Sequence, residues 1–388
     1  MAVFGLTKQM NKKPNILHWP AAYPNPEAGK PFDCIFVQEH IKSVIPYTNS
    51  KVLFISTETC KSFLHETTRT EENSIETIRI AFNRKRNLLF LNLYIRLVIF
   101  AELIRLLVKG FRPDIIHVHF FQAGLWASFF CKILFIKLCI TEHWSAFIGW
   151  PVISKERFLK AAKIFNNADI IITVSNKMAD EIRAKSFIKA TKKINVIHNA
   201  VDSKIFKPEI QQKKNNVIKL LAVSRISEEK DIPNLLAALA LLDNNWELTL
   251  IGGGDINGMR DIAKDYKIEN RVHFIGQKNK LTIANFMQRA NLFILSSFIE
   301  NSPTVIGEAL CCGCPVVSTN VGGVSELLNF ENGILVASQN PSELAAGIKL
   351  AMNTNYNREK IARNAKQIFS LNTVGQAILN CYNENGIL

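Results

Sequence analysis

The chain has 388 residues and 48 % hydrophobic content, enough to fill the cores of two ordinary domains. Its net charge of +14 is lopsided: residues 1–200 hold 28 Lys+Arg against 15 Asp+Glu, and residues 201–388 hold 19 against 18. A basic partner surface is therefore expected on the first half only, facing anionic lipid, nucleic acid or a phosphorylated substrate; with no recognised module and no basic–aromatic interleaving, a nucleic-acid-binding protein is set aside.

The N-terminus, MAVFGLTKQMNKK, lacks the apolar core of a signal peptide, and a reduced, cytoplasmic setting is expected. Asn15–Trp19 reads as a first strand. Ala21–Pro31 is a turn-rich loop with a single glycine, Gly29, and a helical pattern follows it. Lys51–Ser56 and Glu76–Ala81 read as strands. Asn87–Val108 is apolar and helical in length, but Arg96, Glu102 and Arg105 interrupt it, which rules out a membrane span. It is either a core helix or a helix that lays part of its face on an anionic membrane surface. Asp114–His119 is a strand ending in His119. A helix over 122–135, a strand over 136–141, Glu142-His143-Trp144, a helix over 154–166, a strand over 169–174 and a helix over 176–186 follow. Strands alternating with helices predict parallel α/β architecture.

Ser203–Asn216 is polar and reads as a linker between a first domain, 1–202, and a second, 217–370. In the second half, strands are expected at 218–224, 246–251, 271–276, 291–296 and 314–318. Helices are expected at 232–242, 257–267, 280–289, near 341–352 and over 357–384. Residues 371–388 are expected to pack back on the first domain as a C-terminal helix. Two doubly wound, Rossmann-like domains facing across a deep cleft are the predicted fold. Cys311, Cys312 and Cys314 are read as small packing residues rather than zinc ligands, and no metal site is expected.

Ligands of open parallel sheets bind at the carboxyl ends of the strands. In the second half those ends carry Ser224 to Lys230, Gly252 to Gly254, Gly276 and Glu300. Arg225 and Lys230 would place two cations where a diphosphate sits, and Gly253 and Gly254 would let backbone approach a ligand. In Ser296–Thr319 the spacing predicts a helix opening near Thr304, with Ser302 as N-cap and Pro303 as the first helical residue. The free amides of Thr304 and Val305 would then favour an anion. Glu300 in the loop and Glu308 one turn inside the helix could grip hydroxyl groups on either side of it.

These stretches together resemble the retaining glycosyltransferases of family 4, which have the GT-B fold. Glu300-Asn-Ser-Pro-Thr-Val-Ile-Gly-Glu308 is similar to the family's E-x7-E motif, SRISEEK to its basic segment, IGGGD to its glycine loop, TNVGGVSELL with Glu326 to its GG turn, and HNAVD to its interdomain segment. IIHVH and TEHWSAF fit the middle strands of bacterial polysaccharide-type members. The chain departs from the pattern at one loop glycine rather than two, at Ser224 and at Ala200.

The resemblance implies a nucleotide-sugar donor on the second domain, a glycan or lipid-linked acceptor on the first and retention at the anomeric carbon. It implies a glycosyltransferase of the hexosyltransferase type in cell-surface polysaccharide synthesis, with no cofactor and no essential metal. Glu300 would lie near the donor sugar and Glu308 near the ribose. Arg225 and Lys230 would neutralise the leaving diphosphate, and Gly29, Gly253, Gly254, Ser302, Pro303, Thr304 and Val305 would contact the donor. His119 would sit at the reacting sugar, with His143 as second choice. A sugar-nucleotide epimerase of the same fold is the other enzyme reading. A peripheral place on the inner face of the cell membrane is expected from the basic first half.

Overall fold

The computed structural model describes residues 13–26, 29–31, 33–56, 60, 62–83, 91–149, 151–185, 188–189, 191–209, 217–243 and 245–387. The first sheet is built from β1 (Asn15–Pro20), β2 (Asn49–Ser56), β3 (His65–Glu72), β4 (Ile75–Phe82), β5 (Ile115–His119), β6 (Lys137–Glu142), β7 (Ile170–Thr173) and β8 (Ile194–Val196). Its order is β3-β4-β2-β1-β5-β6-β7-β8, and only β3–β4 is antiparallel. The second sheet contains β9 (Ile218–Val223), β10 (Trp246–Ile251), β11 (Val272–Phe274), β12 (Leu292–Leu295), β13 (Val316–Thr319) and β14 (Gly333–Val336). These run parallel in the order β11-β10-β9-β12-β13-β14. Strands such as IIHVH and LFIL are buried at every position, as expected where helices cover both faces of a parallel sheet.

The helices of the first half are α1 (Ile35–Val44), α2 (Leu91–Val108), α3 (Phe121–Leu134), α4 (Lys155–Asn167) and α5 (Asn176–Ala184). Those of the second are α6 (Ile232–Ala240), α7 (Ile256–Asp265), α8 (Lys280–Arg289), α9 (Thr304–Cys311), α10 (Pro341–Met352), α11 (Arg358–Phe369) and α12 (Leu371–Glu384). The expected long helix over 357–384 is two helices. Ser370 is extended (φ −59°, ψ 147°) and its hydroxyl caps the amide of Thr373 at 3.2 Å, ending one helix and starting the next.

The chain crosses back at that break. Val374, Ile378 and Tyr382 of α12 share a core with Ile16, Val44, Ile115 and Cys139 of the first domain. A Cβ on Gly375 would lie 2.0 Å from the carbonyl oxygen of Ser43, so α12 can sit this close to the end of α1 only with glycine there. Of the expected linker, residues 210–216 lie outside the described residues, as do the first twelve residues and 84–90, which include the start of the helix expected over 87–108.

Three strands, β3, β8 and β14, were not expected from the sequence; β8 is only three residues long and lies at the edge of the first sheet. β3, HETTRTEE, is a polar edge strand with no apolar alternation, joined to β4 by Asn73 and Ser74, both at positive φ. β14 is only four residues long and lies at the other sheet's edge. No helix among the described residues is long and apolar enough to cross a membrane. α2 instead buries Ile95, Ile99, Leu103 and Leu106 in the first core and leaves Leu93, Leu97, Phe100, Ile104 and Val108 on its outer face.

Candidate active site

The carboxyl ends of the two sheets face one cavity of about 660 Å³. The first domain supplies Asp33, Phe36, Phe120, His143 and Trp144. The second supplies Ser224, Arg225, Lys230, Gly253, Lys280, Glu300, the run Ser302–Val305 and Glu308. Of the residues given a catalytic or donor-contact role from the sequence, Gly29, Gly254 and His119 do not line it. Gly29 sits at positive φ in a turn closed by the Asn25 and Lys30 backbones. A Cβ at Gly252 or Gly254 would meet the carbonyl oxygens of Ser224 (1.7 Å) and Ile226 (2.3 Å), so these glycines let the 252–254 loop lie against the 224–226 backbone. Gly253 between them borders the cavity.

The start of α9 differs from the expected cap. Pro303 is extended at the N-cap position (φ −68°, ψ 111°), and Thr304 is the first helical residue. Ser302 is not the cap; its carbonyl oxygen accepts from Asn199 Nδ2 at 2.8 Å. A proline N-cap offers no side-chain oxygen, so no side chain caps the first-turn amides, which border the cavity. Glu300, before the helix, is buried and accepts from Lys230 Nζ at 2.6 Å and Ser297 Oγ at 2.7 Å. The GG turn explains its position: a Cβ at Gly322 would fall 1.5 Å from the Glu300 carbonyl oxygen, and one at Gly323 would fall 2.2 Å from that of Asn301. Arg225 is different in kind, with 70 % of its side chain exposed at the mouth and a loose 3.8 Å contact to Glu229.

On the first domain, Glu142 ends β6 and accepts from the amides of Phe121 (2.9 Å), His143 (3.0 Å) and Trp144 (2.9 Å). Burial pushes its carboxyl up to about 7 while those three donors pull the other way. This carboxylate shapes the turn that presents His143 to the cavity. Phe120, beside it, holds a positive φ of 67°, which is strained for an aromatic residue at a cleft wall. His119 lies one layer behind, fully buried, with Nδ1 3.3 Å from His143 Nε2. Burial depresses both imidazoles well below their usual range, so both are neutral.

The domains are tied by side chains for which the sequence reading named no such task, although Asn301 and Glu326 fall within motif stretches. Asn301 accepts from Ser175 Oγ at 2.6 Å and donates to the His143 carbonyl at 3.2 Å. Lys280, the first residue of α8, bonds Glu39 of α1 across the cleft at 2.5 Å. Glu326 accepts from the amides of Asn176 (2.7 Å) and Lys177 (2.8 Å), so a carboxylate of one domain caps α5 of the other. These cross-domain partners carry no spacing signal: the motifs mark Asn301 and Glu326 as part of the sheet edge, but nothing local pairs them with Ser175 or α5, or Lys280 with Glu39.

Glu308 is buried beside this pair. Burial pushes its carboxyl up to about 7, with Lys280 pulling it down and Glu39 pushing it up. A carboxyl held above its ordinary 4.5 keeps its proton in the folded state after the unfolded chain has lost it. Its contribution to stability is complete below the lower value and is lost as pH rises through the higher one. Glu308→Gln should therefore gain on the wild type between about pH 5 and about pH 8, by about 2–3 kcal/mol in urea unfolding. A difference that stays constant with pH would contradict the assignment.

Two family models cover most of the chain. Glycosyl transferases group 1 matches residues 203–368 and Glycosyltransferase Family 4 matches residues 58–204. Among relatives, glycogen synthase of Mycobacterium tuberculosis is 26 % identical over 71 % of this chain and 69 % of its own length. The amylovoran biosynthesis glycosyltransferase AmsK of Erwinia amylovora is 25 % identical over 63 % of this chain and 62 % of its own. Among solved structures, sucrose-phosphate synthase of Thermosynechococcus elongatus superposes with a TM-score of 0.76 at 21 % identity, covering 95 % of this chain and 98 % of that one. Anabaena HepE in complex with UDP gives 0.76 at 20 %, covering 95 % and 100 %; at these identities the two structures speak for the fold. The two-sheet architecture is that of GT-B enzymes, and the chain belongs to the family-4-type glycosyltransferases.

Proposed function

We propose that this enzyme moves a hexosyl unit from a nucleotide-sugar to a glycan or lipid-linked acceptor of cell-surface polysaccharide synthesis, with retention at the anomeric carbon. The observation that carries the reading is the convergence of Lys230–Glu300, the uncapped start of α9 and buried Glu308 on one cavity between the domains. The diphosphate would lie against the α9 amides, Lys230 and Arg225. Three positive partners there stabilise the charge that builds on the leaving group, a role a metal ion or a preorganised protein field can fill. In this reading the protein field fills it, with no divalent metal and no cofactor.

Glu300 would take hydroxyls of the donor sugar and Glu308 those of the ribose, with Gly253 allowing close approach. His143 would meet the sugar from the first domain, with His119 packed directly behind it. Complexes of HepE with UDP and with UDP-glucose are consistent with a uridine nucleotide as donor. The matching families and relatives are glycosyltransferases, which sets the epimerase reading aside.

The acceptor side of the molecule carries an apolar face. Leu93, Leu97, Phe100, Ile104 and Val108 of α2 run alongside Leu125, Phe129 and Ile133 of α3, all exposed. Arg96 bridges the two helices, its guanidinium 5.2 Å from the Phe129 ring centre, and the same helices carry Arg105 and Lys132, with Lys109 directly after α2. An apolar strip on helices that carry cations suits an anionic membrane surface, where a lipid-linked acceptor would be found.

Nucleotide release from UDP-, GDP- and ADP-sugars, with EDTA present, tests the donor assignment. One donor should be consumed by the wild type, with Lys230→Ala about 100-fold slower and Glu308→Ala and His119→Ala both impaired. Release that survives in all three variants, or that EDTA abolishes, would contradict the reading. The full chain should also co-sediment with anionic vesicles at low salt. Leu97→Glu/Phe129→Glu should weaken that binding by about tenfold or more; binding unchanged by the pair, or absent at low salt, would rule the membrane face out.

A further inference from the structure

Five histidines lie together in the first domain, all buried: His18 of β1, His117 and His119 of β5, His143 after β6 and His40 of α1. The rings of His117 and His119 stack at 4.6 Å, and that of His143 lies 5.6 Å from His119 and 5.2 Å from His40. Such a group in a dry wall is costly unless its nitrogens are engaged. His117 is engaged at both nitrogens, by Tyr382 and Thr141. His40 Nδ1, His119 Nε2 and His143 Nδ1 have no partner. Glycosyl transfer as described above uses His143 and His119 and gives His40 nothing to do.

We infer that His40, His119 and His143 form a binding site for a divalent transition-metal ion of the zinc class. One nitrogen of each lies within 4.8 Å of the others. His119 Nδ1 and His143 Nε2 are 3.3 Å apart. Two imidazoles on one tetrahedral zinc, each at about 2.0–2.1 Å, have their nitrogens about 3.3 Å apart. His40 Nε2 lies 3.2 Å from the His198 carbonyl oxygen. That contact keeps the proton on Nε2 and leaves the Nδ1 lone pair for the metal, the outer-shell arrangement usual for ligating histidines. Asn199, whose Oδ1 also lacks a donor, neighbours His143 and can take the proton of its other nitrogen.

Three imidazoles without a carboxylate select zinc, cobalt, nickel or copper over magnesium. This ion is thus distinct from any metal on a diphosphate, and the site stands whichever donor the enzyme uses. His143 borders the cleft, so the ion enters from there, and a water from the cleft completes its coordination.

The test is a titration of the EDTA-stripped, desalted full chain with Co²⁺, which reports tetrahedral coordination by its visible absorption, followed by displacement with Zn²⁺. One equivalent with a tetrahedral spectrum is expected, weakened by about tenfold or more in His40→Gln and in His143→Gln and unchanged in Cys34→Ser, a control for thiol binding at the cleft. Absence of a saturable one-equivalent site, or a spectrum insensitive to both histidine variants, overturns the inference. Should those variants misfold, carbethoxylation of the wild type by diethyl pyrocarbonate, read by mass spectrometry, decides the matter. Zn²⁺ should protect His143, and equal labelling with and without Zn²⁺ overturns the assignment.

Discussion

The structure depends on how two parallel sheets meet at their carboxyl ends. Strand ends leave backbone amides and carbonyls without sheet partners, and those groups must find others. Here some are used to join the domains. The His143 carbonyl takes Asn301, the Ser302 carbonyl takes Asn199, and the first amides of α5 take Glu326. Others are left facing the cavity, notably those at the start of α9. The same edge therefore both clasps the domains and lines the cavity, and motif residues such as Asn301 and Glu326 take part in the clasp. α12 adds a second tie by crossing from the second domain to pack on α1 and the first sheet.

Charge in the cleft is arranged in buried pairs. Lys230 is matched by Glu300, and Lys280 by Glu39 of the opposite domain. A buried ion pair contributes little net stability, because desolvation offsets attraction, but breaking one is costly. Such pairs hold cations in fixed positions inside a low-dielectric cleft, where a bound diphosphate would feel them more strongly than in water. The Lys280–Glu39 pair spans the gap, so any change in domain separation must stretch or break it.

Much of this was legible in the sequence because the signals are local. Alternating strands and helices, a glycine-rich loop and two glutamates eight positions apart mark the sheet edge without reference to anything distant. What was not legible depends on long-range contact. Ser302 looked like an N-cap, but its carbonyl is held by Asn199 and proline takes the cap position. Gly254 looked like a ligand contact, yet it lies off the cavity lining and its lack of a side chain makes room for the Ile226 backbone. His119 could be placed at a strand end, but only the fold shows His143 standing in front of it. The polar edge strand β3 carries neither periodicity nor glycine at its turn, so the usual signals for a hairpin are missing.

The most direct test of the central claim, that a nucleotide-sugar binds between the domains against the α9 start, is hydrogen–deuterium exchange with and without saturating donor. The account predicts slowed exchange on both walls together: residues 224–230, 252–254 and 300–308 of the second domain, and 33–36 and 143–145 of the first. Protection confined to one domain, or located away from these segments, would contradict it.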